Sequence, residues 1–275
     1  MDITEIKDLI YEKEPNGICT LTINAPERRN AMTPITFLEI MTVLDDMEKD
    51  KNTKVLIITG SEEGRAFSSG GYFNFKELAS TPSEIMEQIN LQDIAQKKLT
   101  LKLWDFSKPI IAVINGLAIG AGITMPLIGA DLIYMTDNPE AYLGFYFAKR
   151  AVLPEFGSSY ILPFYVGFQK AKEIIYFAEK IFAKDAEKLG IVNKVLPEEK
   201  LMAYAREQAM RLLPPNSPLG AIRAMKKLMH GYFRDILSNI LDDENKGNLA
   251  AFKTRDFREA TRSLSEKRAP VFKGK

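Results

Sequence analysis

The sequence predicts an α/β core followed by a helical C-terminal part. Three observations carry this. Short apolar runs alternate with stretches of helical spacing through residues 1–200. Two of those runs lead into glycine-rich turns, the pattern of buried strands that hand over to helices. From PPNSPLGAIRAMKKLM, beginning at residue 214, the spacing stays helical to about residue 266. We divide the chain accordingly into 1–200 and 201–275.

The elements follow in order. GICTLTINAP (17–26) alternates and is rich in β-branched residues, so it reads as a strand. ITFLEIMTVLDDMEKD (35–50) has helical spacing, with Thr33 as its cap and Pro34 at its first position. KVLIITGS (54–61) is a buried strand ending in glycine, and residues 82–106 read as helical. KPIIAVINGLAIGAGITMPLIGADLIYMTD (108–137) reads as strand, glycine-rich turn, helix and strand. AVLPEFGSSYILP (151–163) reads as a Pro/Gly turn between apolar segments. Residues 169–180 are helical, and AKDAEKLGIVNKVLPEEKL gives a short helix, a strand and a helix start.

Composition excludes several classes. A net charge of +1 provides no general attraction to nucleic acid. Cys19 is the only cysteine, so neither an intrachain disulfide nor a cysteine-based zinc site is available. His230 is the only histidine and lies in a basic helical segment, a poor setting for a Ser/His/Asp triad. The N-terminus is acidic and mixed, unlike a secretory or transit signal. The longest weakly charged run, 109–130, is broken by glycines and Pro126, so it reads as core rather than a membrane span. The expected setting is therefore the cytoplasm, without membrane or nucleic acid as partner and without a metal.

The candidate chemistry lies in three stretches. EEGRAFSSGGYFNFKEL (62–78) follows a buried strand, and its Ser-Ser-Gly-Gly run lets a ligand approach the backbone. NGLAIGAGITM (115–125) joins a strand to an apolar helix whose first N–H groups lack intrahelical partners. It fits the dinucleotide GxGxxG spacing poorly. Either loop alone also reads as a close-packed glycine turn. Together they can aim two N–H groups at one oxygen, an oxyanion hole suited to a carbonyl that becomes enolate-like. Glu155, the only carboxylate in 151–163, would supply the base.

NAPERRNAM (24–32), GRAFSSGGYFNFKEL (64–78), KPIIAVINGLAIGAG (108–122), ADLIYMTD (130–137), LPEFGSSYILP (153–163), LGIVNKVLP (189–197) and EKRAPVFKGK (266–275) occur in the order of the crotonase, or enoyl-CoA hydratase/isomerase, superfamily. The chain resembles that superfamily along essentially its whole length. The resemblance implies a spiral of ββα units, a C-terminal helical trimerisation region, and assembly as a homotrimer or a dimer of trimers. It also implies a coenzyme A thioester as substrate, with no permanently bound cofactor. Matched motif by motif, the oxyanion-hole N–H groups belong to Gly71 and Ala121.

Hydratases of the superfamily carry two glutamates. Here Thr124 and Phe147 stand at those places, and neither activates water by proton transfer. Glu155 lies eight residues beyond Phe147, where the peroxisomal-type Δ3,Δ2-enoyl-CoA isomerases carry their single catalytic glutamate. The expected activity is thus conversion of a 3-enoyl-CoA to a 2-enoyl-CoA. The alternatives are a water-using crotonase reaction and a non-catalytic CoA-binding role. Tyr72 replaces the aspartate usual after the hole, where it either lines the acyl channel or packs. Phe73 is expected near the adenine, and Arg28, with Arg29 beside it, near the CoA phosphates. Lys273 and Lys275 are further candidates for the nucleotide. Ser69, Gly120, Thr124 and Phe147 complete the candidate substrate contacts, and Phe145, Tyr146, Phe147 and Phe156 the candidate apolar wall.

Overall fold

The computed structural model describes residues 1–72 and 75–275, and of residues 75–77 the backbone alone. In chain order the elements are β1 (Leu9–Lys13), β2 (Ile18–Ile23), α1 (Pro34–Lys49), β3 (Val55–Gly60), β4 (Ala66–Ser68), α2 (Phe75–Ser80), α3 (Ser83–Met86), α4 (Lys97–Asp105), β5 (Ile110–Ile114), β6 (Leu117–Ile119), α5 (Ala121–Gly129), β7 (Leu132–Thr136) and β8 (Tyr142–Gly144). Then come α6 (Ser158–Val166), α7 (Phe168–Phe177), β9 (Lys180–Phe182), α8 (Ala183–Lys188), β10 (Lys194–Leu196), α9 (Glu198–Arg211), α10 (Leu219–Gly231), α11 (Arg234–Ala251) and α12 (Arg255–Ser265).

The strands form two sheets, ordered β1-β2-β3-β5-β7-β10 and β4-β6-β8-β9. Successive strands alternate between them. β3, β5 and β7 lie in the first sheet, while β4, β6 and β8 lie in the second. Each pair is followed by helix, so the chain advances as a spiral of ββα units. Pairing among these inner strands is parallel; the β1–β2 and β8–β9 pairs are antiparallel. β3 and β5 are buried at every position, as their unbroken apolar runs require.

α1 begins as the sequence predicts. The Thr33 hydroxyl accepts from the Thr36 N–H, the Thr36 hydroxyl accepts from the Thr33 N–H, and Pro34 occupies the first turn. One expectation fails. Residues 82–106 are not one helix but α3 and α4 separated by turns. Gln96 is left-handed, and the Asp93 carboxylate accepts from the Lys97 and Lys98 N–H groups, so α4 is started afresh at Lys97. The Pro/Gly turn also ends earlier than expected, because α6 begins at Ser158 and contains Pro163.

The C-terminal helices pack on the core in two places. α9 covers one face of the first sheet, burying Leu201, Ala205 and Ala209 against Val55, Ile57 and Val113. α11 lies against the segment between β8 and α6, where Leu237 and Leu241 are fully buried. Among the described residues, no helix is long and apolar enough to cross a membrane.

Candidate active site

Two turns meet at the ends of β4 and β6. In the first, Gly70 has φ +103°, a conformation open to glycine. It packs so closely on the second turn that an added Cβ would stand 2.6 Å from the Ile119 carbonyl oxygen. The Gly70 carbonyl accepts from the Met32 N–H at 2.8 Å, and the Tyr72 N–H donates to the Met32 carbonyl at 2.8 Å. Peptide groups alternate in direction along an extended chain, so the Gly71 N–H points away from Met32. A Cβ at Gly71 would meet nothing within 4 Å, which leaves room for a ligand beside that N–H.

In the second turn Gly120 has φ +50°, and α5 starts at the next residue. The Gly120 N–H donates to the Gly144 carbonyl at 2.9 Å. Its own carbonyl accepts from the Ile123 and Thr124 N–H groups, and from the Thr124 hydroxyl at 3.2 Å. That leaves Ala121 with the first unshared N–H of α5. A Cβ on Gly70 would be 3.8 Å from that nitrogen, and one on Gly122 only 2.3 Å from the Ser68 carbonyl oxygen. The two turns are therefore pressed together, with the Gly71 and Ala121 backbones side by side.

Glu155 reaches this junction from the loop before α6. A Cβ on Gly120 would lie 3.6 Å from Glu155 Oε1, which puts the carboxylate beside the peptide groups that open α5. Glu155 as a residue is half-buried, but desolvation of its carboxyl pushes it up to about 8; the nearby Glu244 charge adds to this, and the Ala121 N–H opposes it. The backbone after Glu155 is left-handed at both Phe156 (φ 56°) and Gly157 (φ 67°). The Phe156 N–H donates to the Ala95 carbonyl at 3.1 Å, and its buried ring meets Phe37 edge-on at 5.6 Å.

Other predicted residues fall around this centre in different ways. Thr124 is fully buried, and its hydroxyl is taken up by the Gly120 carbonyl. Phe147 and Phe145 are buried in the core, and Tyr146 is half-buried. Tyr72 is exposed at the mouth of the first turn. The Ser69 hydroxyl donates to the Arg28 carbonyl at 3.1 Å and ties the turn to residues 28–31. The Arg28 guanidinium is engaged with Asp8, Glu27 and the Ala31 carbonyl, whereas Arg29 is exposed. Phe73 lies outside the described residues. In the tail, the Lys273 and Gly274 N–H groups donate to Asp256, which folds these residues back onto the start of α12. His230 stacks on Trp104 at 4.1 Å with Nδ1 against the Trp104 carbonyl, so it joins α10 to α4 and takes no part in a triad. Among the described residues, no group of acids, histidines or cysteines is placed to hold a metal.

The sequence does not announce the contacts behind Glu155. Glu244 and Asn248 on α11 are 4 % and 1 % exposed and bind the chain on both sides of Glu155. A signal was present: Leu237, Leu241, Glu244 and Asn248 recur at 4-3-4 spacing, which puts two polar residues on the buried stripe of the helix.

A family model described as enoyl-CoA hydratase/isomerase matches residues 13–275. The chain is 26 % identical over 268 residues to the 1,2-epoxyphenylacetyl-CoA isomerase of Escherichia coli, covering 98 % of this chain and 99 % of the other. It is 27 % identical over 267 residues to the peroxisomal enoyl-CoA delta isomerase 3 of Mus musculus, covering 96 % and 80 %. The crystal structure of an enoyl-CoA hydratase/isomerase from Pseudoalteromonas atlantica superposes with a TM-score of 0.83 at 23 % identity, covering 97 % of this chain and all of that one. This last likeness supports the fold.

Proposed function

The chain belongs to the enoyl-CoA hydratase/isomerase family, and from that premise we propose that it moves the double bond of a 3-enoyl-CoA to the 2-position, with Glu155 as its single acid–base group. The observation that carries this reading is the approach of Glu155 Oε1 to the Gly120 turn, 3.6 Å from where a Cβ on Gly120 would stand, next to the Ala121 N–H. It brings a desolvated base to one of the two donors expected to hold the thioester oxygen.

The proposed steps are these. The thioester oxygen accepts from the Ala121 N–H and from the Gly71 N–H. Glu155, beside that turn, faces C2 and removes its proton. The electron pair delocalises over C2–C4 and the thioester oxygen as a dienolate, which the two N–H groups stabilise. Glu155 then returns the proton at C4, leaving a conjugated 2-enoyl thioester. No atom is gained or lost, and coenzyme A enters only as part of the substrate. Burial suits the base twice over: it strengthens the carboxylate as a proton acceptor and keeps water from the alkene.

Hydration is the second reading, because the family includes it and a second buried carboxylate, Glu244, lies near the first. Glu244 is poorly placed to activate water. Its oxygens already accept from the Gly157 N–H, the Ser159 N–H and the Ser159 hydroxyl.

The pH dependence tests the base. A carboxyl raised to about 8 is protonated and inactive as a base below that pH. The isomerase kcat/KM is expected to rise about tenfold per pH unit below the midpoint and level off above it. A profile flat from pH 6 to 9 would remove Glu155 from this role.

Assembly forms part of the same proposal. Phe164, Phe168, Tyr176, Phe177, Leu228, Met229 and Tyr232 are all exposed on α6, α7, the C-terminal half of α10 and its cap. Exposed apolar surface of this kind marks a contact, and we assign it to further copies of the chain. Sedimentation equilibrium is expected to give three or six times the 31.0 kDa chain mass. The single-chain mass at micromolar concentration would overturn the assignment.

A further inference from the structure

The loop that carries Glu155 is held by α11. Along one face of that helix Leu237, Leu241, Glu244 and Asn248 are all buried. A Cβ on Gly157 would stand 2.5 Å from the end of Leu237, and one on Gly247 would stand 2.2 Å from the end of Leu153, so loop and helix are in close contact. Upstream of Glu155, Asn248 Oδ1 accepts from the Leu153 N–H at 2.9 Å, and its Nδ2 donates to the Pro154 carbonyl at 3.2 Å. Downstream, Glu244 accepts from the Gly157 N–H at 2.8 Å and the Ser159 N–H at 3.1 Å. Asn245 extends the arrangement. It accepts from the Ala95 N–H at 2.7 Å, and the Ala95 carbonyl in turn accepts from Phe156.

Two side chains one turn apart thus grip the backbone on both sides of one carboxylate. Between the two grips Phe156 is left-handed, and so is Gly157 at the start of the second grip, a conformation that a phenylalanine does not hold unaided. We propose that Glu244 and Asn248 are positioning residues, which lock this left-handed turn and so keep the Glu155 carboxylate beside Gly120 and Ala121. The inference rests on the reading of Glu155 as the base. Burial raises the Glu244 carboxyl too, and its bonds to Ser159 and Gly157 oppose this; once ionised, Glu244 disfavours a second negative charge at Glu155 and so strengthens the base.

The other charged groups nearest this loop are engaged elsewhere or exposed. Asp93 accepts from the Lys97 and Lys98 N–H groups and from Asn245. Lys97 pairs with Asp242 on the side of α11, and Lys149 donates to the Ala178 carbonyl. Arg150 is exposed.

The test uses Glu244→Gln, Asn248→Ala and Glu155→Gln in the full chain, with two readouts. The first is kcat and KM on a 3-enoyl-CoA. Asn248→Ala is expected to lower kcat tenfold or more with KM within about twofold, because a misplaced base costs rate and leaves binding intact. The second needs no turnover: the titration of Glu155 followed by carbon NMR in protein labelled at the glutamate carboxyls, with the signal assigned by its loss in Glu155→Gln. Glu244→Gln, which keeps the volume and one acceptor oxygen, is expected to move that midpoint to lower pH and the acid limb of kcat/KM with it. Wild-type kcat in Asn248→Ala together with an unmoved midpoint in Glu244→Gln would overturn the proposal. So would losses that follow the melting temperature alone. An active Glu155→Gln would overturn the base assignment instead, and the NMR midpoint would still decide whether Glu244 sets the ionisation of Glu155.

Discussion

Glu155→Gln is expected to lower the conversion of a 3-enoyl-CoA to its 2-enoyl isomer by about a thousandfold, while acyl-CoA binding stays close to that of the wild type. The substitution is nearly isosteric. The amide keeps an oxygen and nearly the same volume beside the Gly120 turn, so the turn keeps its shape, but a neutral amide does not take a proton from C2. Ultraviolet absorbance of the conjugated thioester reads the reaction, and calorimetry with a saturated acyl-CoA reads the binding. Retained turnover would mean that another group is the base.

A second readout separates a lost base from a damaged fold. The Glu155 carboxyl is raised from the ordinary 4.5 to about 8 in the folded chain. A raised carboxyl contributes stability that is fully present below about 4.5 and is lost as the pH climbs through about 8. Gln carries no proton to lose. The variant should therefore melt increasingly above the wild type as pH rises from 5 to 9. Equal melting at both ends of that range would contradict the buried, raised carboxyl.

Much of this site is legible in the sequence, and the limits of that legibility have physical causes. Thr33 and Pro34 announce α1 because capping is local chemistry, settled within four residues. Gly70 and Gly120 announce the two turns because each has a positive φ, and Gly70 is also at a point of close contact. Glu155 stands out as a lone acid in an apolar stretch, and the structure gives it the desolvation that this isolation suggests. By contrast β4, β6, β8 and β9 are three residues each, too short for alternation to show. The break between α3 and α4 is hidden because Asn245, far along the chain, helps to hold Asp93 and Ala95. Arg28 looks like a free cation in sequence, and only the fold reveals Asp8 beside it. Glu244 and Asn248 are the instructive case. Their spacing predicts burial, but what they bind is fixed only once α11 meets the loop around Glu155.

The two glycine turns yield the other large effect. Gly122→Ala is expected to lower kcat by about a hundredfold, the loss seen when one oxyanion donor is removed. Gly122 is the second residue of α5 and has no positive φ, so alanine suits its backbone. The obstacle is space. The new Cβ would stand 2.3 Å from the Ser68 carbonyl oxygen and 3.0 Å from the Ser68 Cβ, and β4 and α5 must part to admit it. Parting them moves the Ala121 N–H away from the Gly71 N–H, and the pair no longer converges on one oxygen. Overpacking of this kind also costs about 1–3 kcal/mol of stability, so a control with the same defect elsewhere is needed. Gly116→Ala is that control: its Cβ would stand 2.8 Å from the Ala66 Cα, at the far end of β6 from the oxyanion turn. Both variants should melt lower than the wild type, and only Gly122→Ala should lose turnover per folded chain. If the two lose turnover equally, or if Gly122→Ala keeps it, the Ala121 N–H is not the group that stabilises the dienolate.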